Sequence, residues 1–445
     1  MIQTIACAAA ASVAGTLVAG ILACLPGVHA YNLLALFFLG AHSLAGAGYA
    51  VPDTAVIAFT AGMLVGWSVL SAVPSVLLAA PDDSTALMVT PGQSYLMRGR
   101  GCEAVMLIAQ GALGGVLLVV LVMAPLAPGL VPPVWEVFRP HAHWIVWVVI
   151  AFLLQSEWPK EGNRGPAGWR RFGEALLGPL AGLATFVLSG LLGFILMYRS
   201  PIHPAAAFQN LMPAFVGLFA VPGLLLNLLS RTAIPPQDVG AVTRPARVAV
   251  LKGVFGGALG GGFAAFFPAV TGGVGALLAG HATAQQDERT FLASQGASKV
   301  VYYAGAYLLF FLPEHARTRG GAAWLVQGFC TPAGWHDYGI VVGAIALSGV
   351  LAYAVTGPVA RTAIRLAERV NFRALSFAAL GVVIALTALV TGVPGLAVLA
   401  TAAGIGLIPL VFHSRRLNCL GVILLPIACN MSGFGPTVAH WLGLL

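Results

Sequence analysis

An all-α polytopic membrane protein made of two repeats with broken or re-entrant helices is predicted by three features of the sequence. Of its 445 residues 59% are hydrophobic and only 8% charged, with a mean hydropathy of +0.92; a soluble domain carries about a quarter charged residues. Apolar runs close to the roughly 20 residues that cross a bilayer recur along the chain, giving about ten to twelve membrane segments. The third feature is internal repetition. The run from Gly15 through Gly20 to Leu25-Pro26-Gly27-Val28-His29-Ala30-Tyr31-Asn32 returns from Gly257 through Gly262 to Phe267-Pro268-Ala269-Val270-Thr271-Gly272-Gly273, so that Gly15 falls on Gly257, Gly20 on Gly262 and Pro26 on Pro268.

The composition excludes a soluble enzyme. The formal net charge of +8 is not a nucleic-acid signature, because the basic residues lie mainly in short loops between apolar runs. Cys7, Cys24, Cys102, Cys330, Cys419 and Cys429 are scattered and support neither a disulfide framework nor a metal site. No basic residue precedes the first apolar run, so that run is expected to be a retained membrane segment rather than a cleaved signal.

In chain order, the first break is followed by a Gly- and Ala-rich run to Tyr49, a turn containing Asp53, and an apolar run that ends on Pro81-Asp82-Asp83-Ser84-Thr85. Pro91-Gly92 and Arg98-Gly99-Arg100-Gly101 come next, then spans near 104–124, 144–154, 175–197 and 207–229. Residues 1–230 read as an N-terminal membrane repeat, 231–252 as a cytoplasmic linker and 253–445 as a C-terminal membrane repeat. The second half opens on the repeated break, reaches Lys299 at the edge of the apolar run 300–312, and turns at Pro313-Glu314-His315 before Arg317-Thr318-Arg319-Gly320. Later spans fall near 338–358, 377–390 and 396–412, with an interrupted segment at 417–445.

Basic residues place 158–174, 231–252, 361–373 and 413–416 in the cytoplasm. The loops after both Arg-x-Arg-Gly elements look cytoplasmic, which conflicts with an inverted repeat. Either the repeats run parallel or a helix is uncounted, although broken-helix sites more often arise from inverted repeats.

The glycine-spaced helix into Leu25-Pro26-Gly27, the run Ala80-Pro81-Asp82-Asp83-Ser84-Thr85-Ala86-Leu87 with Pro91-Gly92, the stretch Arg98 to Glu103, and Phe291-Leu292 through Gly296 to Arg317 and Arg319-Gly320 resemble the large permease subunit of tripartite tricarboxylate transporters, closest to its shorter, archaeal-type branch. That resemblance covers most of the chain. It implies a secondary transporter permease in the cell (inner) membrane, moving carboxylates with an ion gradient beside a small membrane subunit and a periplasmic solute receptor. Two positions depart from the family: Pro268-Ala269 replaces Pro-Gly, and Ser298-Lys299 stands where uncharged polar residues are usual.

A proline that stops an apolar helix leaves unpaired backbone groups, tolerated at membrane depth only where they line a cavity. Paired breaks of this kind point to a transporter's substrate site. Pro26, Gly27, Val28, His29 and Asn32, with Pro268, Val270, Thr271, Gly272 and Gly273, are therefore the expected substrate-binding residues, holding a small anion on free amides. A packing kink is the alternative. Asp82, Asp83, Ser84 and Thr85 could carry the coupling proton or sodium ion, since a carboxylate at membrane depth persists mainly where it binds an ion, a proton or a basic partner; an ordinary capped turn explains them equally well.

Asp53 and Glu314 are weaker candidates of the same kind. Lys299 could neutralise a substrate or an acidic partner, with a snorkelling position at the membrane interface preferred. Arg98 and Arg100, like Arg317 and Arg319, could clamp an oxyanion, but fixing orientation explains them better. His141-Ala142-His143 lacks a third ligand, so neither a metal nor a cofactor is expected. The expected function is secondary transport of a small organic anion between the two breaks. The alternative is a polyprenyl-phosphate translocase, whose Pro-Gly-Val-Ser-Gly-Gly break is similar to both stretches; a membrane enzyme acting on lipid lacks a nucleophile.

Overall fold

The computed structural model describes residues 2–25, 29–49, 51–157, 169–203, 210–230, 234–240 and 247–445. Among them there is no strand. The helices in order are α1 (Ile2–Leu22), α2 (Ala30–Gly46), α3 (Asp53–Leu70), α4 (Ala72–Leu77), α5 (Val89–Met97), α6 (Gly101–Leu118), α7 (Ala124–Phe138), α8 (Ala142–Gln155), α9 (Trp169–Tyr198), α10 (Met212–Phe215), α11 (Val221–Leu229), α12 (Arg247–Phe266), α13 (Gly272–Ala282), α14 (Glu288–Phe310), α15 (Gly320–Val326), α16 (Trp335–Arg369), α17 (Phe372–Val411), α18 (Gly421–Met431) and α19 (Gly435–Trp441).

The repeated glycines permit backbone-to-backbone packing. A Cβ on Gly15 would lie 2.2 Å from the Phe59 carbonyl oxygen, one on Gly62 2.2 Å from that of Ser12, and one on Gly66 2.7 Å from that of Thr16. Residue numbers thus rise together along α1 and α3, which run side by side in one direction, as small residues allow where no hydrophobic force drives helices together in lipid. In the second half a Cβ on Gly257 would lie 2.2 Å from the Ser294 carbonyl oxygen and one on Gly261 2.4 Å from that of Ser298, so α12 and α14 also run parallel. Gly15 and Gly257 make the same kind of contact, and α2 and α13 begin at Ala30 and Gly272, separated by the same offset.

The two three-helix units oppose each other. Tyr307 Oη donates to the Ile57 carbonyl oxygen at 3.1 Å, while Lys299 Nζ donates to Ser71 Oγ at 2.7 Å, so α3 rises as α14 descends. The conflict over orientation disappears with this geometry. Arg98 pairs with Glu288 at the first residue of α14, whereas Arg317 follows its last turn and donates its amide to the Leu309 carbonyl oxygen at 2.9 Å. The two Arg-x-Arg-Gly elements lie at opposite ends of a helix of 23 residues, about 34 Å long. The count of basic residues had placed the loops after both elements in the cytoplasm.

Among the described residues eight helices are long and apolar enough to cross a membrane, or nine if the bent pair Arg416–Met431 and Gly435–Trp441 counts as one span. The expected ten to twelve is larger because residues 373–411 and 101–155 each count once: Gly392 (φ 68°) is a non-helical kink that divides α17 into two helices, where two spans were expected, and Gly101–Gln155 is continuous over 55 residues. At 11 residues, α13 is too short to cross. The halves share a core: Met63, Trp67, Tyr303, Phe311 and Ile345 belong to one buried cluster. All six cysteines are free thiols.

Candidate functional site

Both breaks and the acidic turn meet at one cavity of about 380 Å³, lined by His29, Asn32, Asp83, Pro268, Ala269, Val270, Thr271, Tyr302 and Arg319 among others. The chain just past α1 and the chain just past α12 thus line the same cavity, although the two helices run in opposite directions. Pro26, Gly27 and Val28 lie outside the described residues. Gly272 and Gly273 are not in the wall. They stand behind Thr271, where a Cβ on Gly272 would meet Lys299 Cα at 3.3 Å and one on Gly273 the Asp83 carbonyl oxygen at 2.7 Å. These glycines therefore let the second break close onto α14 and the acidic turn, rather than exposing backbone to a ligand as expected.

Thr271 occupies the N-cap position of α13 in extended conformation (φ −94°, ψ 164°), but its hydroxyl caps nothing. Its Oγ1 is buried and without a hydrogen-bond partner. Nearly all buried polar groups in folded proteins are paired, so an idle hydroxyl at a cavity wall is an open binding position. Ala269, one residue past Pro268, adopts φ 62°, the left-handed conformation that favours glycine. The Pro-Ala departure from Pro-Gly thus carries backbone strain at the break itself.

The acidic turn is tied to three elements. Asp82 Oδ2 accepts from Lys299 Nζ at 2.6 Å and from Trp67 Nε1 at 3.4 Å, while Oδ1 accepts from the Ser84 amide at 3.0 Å. Thr85 Oγ1 takes the Asp82 amide at 2.8 Å and the Ser75 hydroxyl at 3.1 Å, and Ser84 Oγ donates to Asp83 Oδ2 at 3.3 Å. No helix is capped by either aspartate. Lys299 is wholly buried. It does not snorkel: α14 starts at Glu288, capped by Asp287 accepting from the Thr290 amide at 3.2 Å, which sets Lys299 in mid-helix rather than at an edge. An ammonium so far from water persists because the carboxylate and Ser71 satisfy it.

His29 connects the first break to this turn. Its Nδ1 accepts from the Tyr31 amide at 3.2 Å, and its Nε2 lies 3.3 Å from Asp83 Oδ1 and 3.2 Å from Tyr303 Oη. One ligand atom each from His29, Asp82 and Asp83 falls within 4.8 Å of the others, a spacing that would suit a cation. The Lys299 ammonium already sits on Asp82. Asp83 faces both the large cavity and a recess of about 30 Å³ shared with Trp67 and Ser71.

Positive charge reaches the cavity from Arg319. Its guanidinium carbon lies 4.8 Å from the Trp135 ring centroid, beside that of Arg317 at 4.6 Å, and no carboxylate pairs with it among the described residues. Gly320 (φ 71°) and Gly321 pack on Tyr31, which seats this loop against the first break. From the sequence, Arg319 was a possible oxyanion clamp, with fixing of orientation preferred. Arg98 and Arg100 are elsewhere, paired with Glu288 at 3.1 Å and with Glu103 at 2.6 Å. Asp53 and Glu314 are exposed, at the start of α3 and in the turn after α14, and line no part of the cavity.

The profile of the tripartite tricarboxylate transporter TctA family matches residues 9–421, a stretch that contains both breaks, the acidic turn and Arg319. The chain belongs to the TctA family. It is a multi-pass membrane protein of a transporter family. An uncharacterised protein of Methanocaldococcus jannaschii is 26% identical to this TctA-family chain over 273 residues, 61% of each protein. The alignment thus spans less than two thirds of that relative's length. No solved structure matches the chain.

Proposed function

We propose that this chain is the permease of a secondary active transporter that moves a small organic anion, a carboxylate, through the cavity between the two breaks. The observation that carries the reading is the idle Thr271 hydroxyl at the N-terminus of α13, facing a cavity that Arg319, which has no carboxylate partner among the described residues, also lines. A hydroxyl and a guanidinium are donors that suit a carboxylate. His29, Asn32, Pro268 and Val270 shape the pocket. Gly272 and Gly273 support it from behind, and Pro26, Gly27 and Val28 are assigned to it from the sequence alone.

Coupling to a proton or sodium gradient is assigned to the acidic turn. Asp83 faces the substrate cavity with His29 and the Ser84 hydroxyl as its partners, while Asp82 is committed to Lys299, so Asp83 is the carboxylate open to a proton or cation, and Ser84 and Thr85 fix the turn. By analogy with the family, a small membrane subunit and a periplasmic solute receptor are the proposed partners in the inner membrane. The polyprenyl-phosphate alternative has no support from the family match.

Titration calorimetry of the purified chain with mono-, di- and tricarboxylates tests the reading. At least one should bind, and Thr271→Val should weaken it tenfold or more, since a hydrogen bond to a charged group contributes about 1.5–3 kcal/mol. Equal affinity in Thr271→Val, or no binding by the wild type, rejects the site.

A further inference from the structure

A second cavity, of about 330 Å³, lies outside the substrate site, where the loop after α17 meets the segment that follows the acidic turn. Its polar wall is made by Thr90, His413, Ser414, Arg415 and Arg416. Two atoms of adjacent residues there, Ser414 Oγ and Arg415 Nη1, are buried and have no hydrogen-bond partner. Leaving one such donor idle is costly, and leaving a guanidinium nitrogen idle more so. Arg416 makes one bond, from Nη1 to the Ala79 carbonyl oxygen at 3.2 Å.

No carboxylate forms an ion pair with either guanidinium among the described residues. Glu157, the nearest acidic partner, spends its Oε1 on the Arg415 amide at 2.7 Å and on Asn418 Nδ2 at 2.9 Å, which fixes the loop and places negative charge near Arg415 but leaves its Nη1 unbonded. His413 is held at φ 55°, a left-handed conformation that costs energy in a non-glycine residue and recurs at functional sites. The cavity is separate from the substrate site. The two share no lining residue, and Leu417, in the wall of this one, stands 3.4 Å from where a Cβ on Gly273 would lie. From Val89 and Thr90, α5 leads away to Arg98 at the start of α14, whereas Arg319 stands beyond the other end of that helix.

We propose that this cavity binds an oxyanion group, phosphate or carboxylate, with Arg415 and Ser414 as direct donors and Arg416 supplying charge. Two idle donors facing one polar hollow, with two guanidiniums that no carboxylate ion-pairs among the described residues, are what such a group would complete. Anionic lipid headgroups bind basic pockets between membrane helices, and a free anion presents the same chemistry.

The test uses the purified full chain in non-ionic detergent. Native mass spectrometry measures retention of phosphatidylglycerol against phosphatidylcholine, and calorimetry measures inorganic phosphate and succinate. Arg415→Gln and Ser414→Ala should each weaken the bound probe tenfold or more, with partial recovery in Arg415→Lys, whereas Thr271→Val should leave this binding in place. Binding of phosphate or succinate identifies a free oxyanion, and retention of phosphatidylglycerol alone identifies a headgroup. If Arg415→Gln does not fold, Ser414→Ala, which removes one oxygen and no charge, decides the matter. No probe bound by the wild type, or equal binding by wild type and Ser414→Ala, overturns the proposal.

Discussion

Replacing Lys299 with methionine isolates the buried pair that ties α14 to the acidic turn. The ammonium lies 2.6 Å from Asp82 Oδ2 and 2.7 Å from Ser71 Oγ and is fully enclosed. Methionine keeps most of the volume, so packing changes little, but a carboxylate loses its counter-charge away from water. Removing one member of such a pair costs about 3–5 kcal/mol, because the remaining charge is uncompensated. Lys299→Met should therefore lower the thermal midpoint in detergent by several degrees, followed by tryptophan fluorescence with Trp67 inside the affected site. In Lys299→Met/Asp82→Asn the charge is gone, and the amide oxygen can still accept from the Ser84 amide. That double variant should regain more than half of the loss. A midpoint for Lys299→Met equal to that of the wild type would mean the pair is not formed in the membrane, and the assignment of Asp82 would fall with it.

Three further outcomes follow from the same geometry. Ala269→Gly relieves the left-handed strain beside Pro268 and should stabilise the protein by about 1 kcal/mol, read as a raised thermal midpoint. Gly273→Val places a methyl-bearing carbon where a Cβ lies 2.7 Å from the Asp83 carbonyl oxygen; it should destabilise by about 1–3 kcal/mol through overpacking and lose uptake as well, so lost uptake without lost stability would contradict the packing role. Asp83→Asn should abolish gradient-driven uptake in proteoliposomes while keeping a monodisperse elution profile, and full activity in this variant would reduce Asp83 to a turn residue.

Much of the membrane architecture was legible because it follows from hydropathy and small-residue spacing. Gly15 and Gly257 announce close helix contacts, and the prolines at 26 and 268 announce interruptions, whatever the rest of the chain does. Depth was not legible. The apolar run after Lys299 suggested an interfacial lysine, because its helical partner stretch, from Glu288 onward, is polar in sequence yet buried against α6 and α12; the Asp287 cap before Thr290 was the available signal. Orientation also escaped, since counting basic residues treats Arg98 and Arg317 alike, while only the contacts of α14 separate them by its length. Arg319 carried no local mark distinguishing it from a topological arginine. Its role depends on Trp135 and Tyr31, both distant in sequence.

Uptake of a radiolabelled carboxylate into proteoliposomes, driven by an imposed proton or sodium gradient, tests the central claim most directly. The account predicts uptake by the wild type and by Arg98→Gln, whose guanidinium pairs at the surface with Glu288, and its loss in Thr271→Val and Arg319→Gln at unchanged protein insertion. Uptake by both cavity variants at the wild-type rate would contradict it.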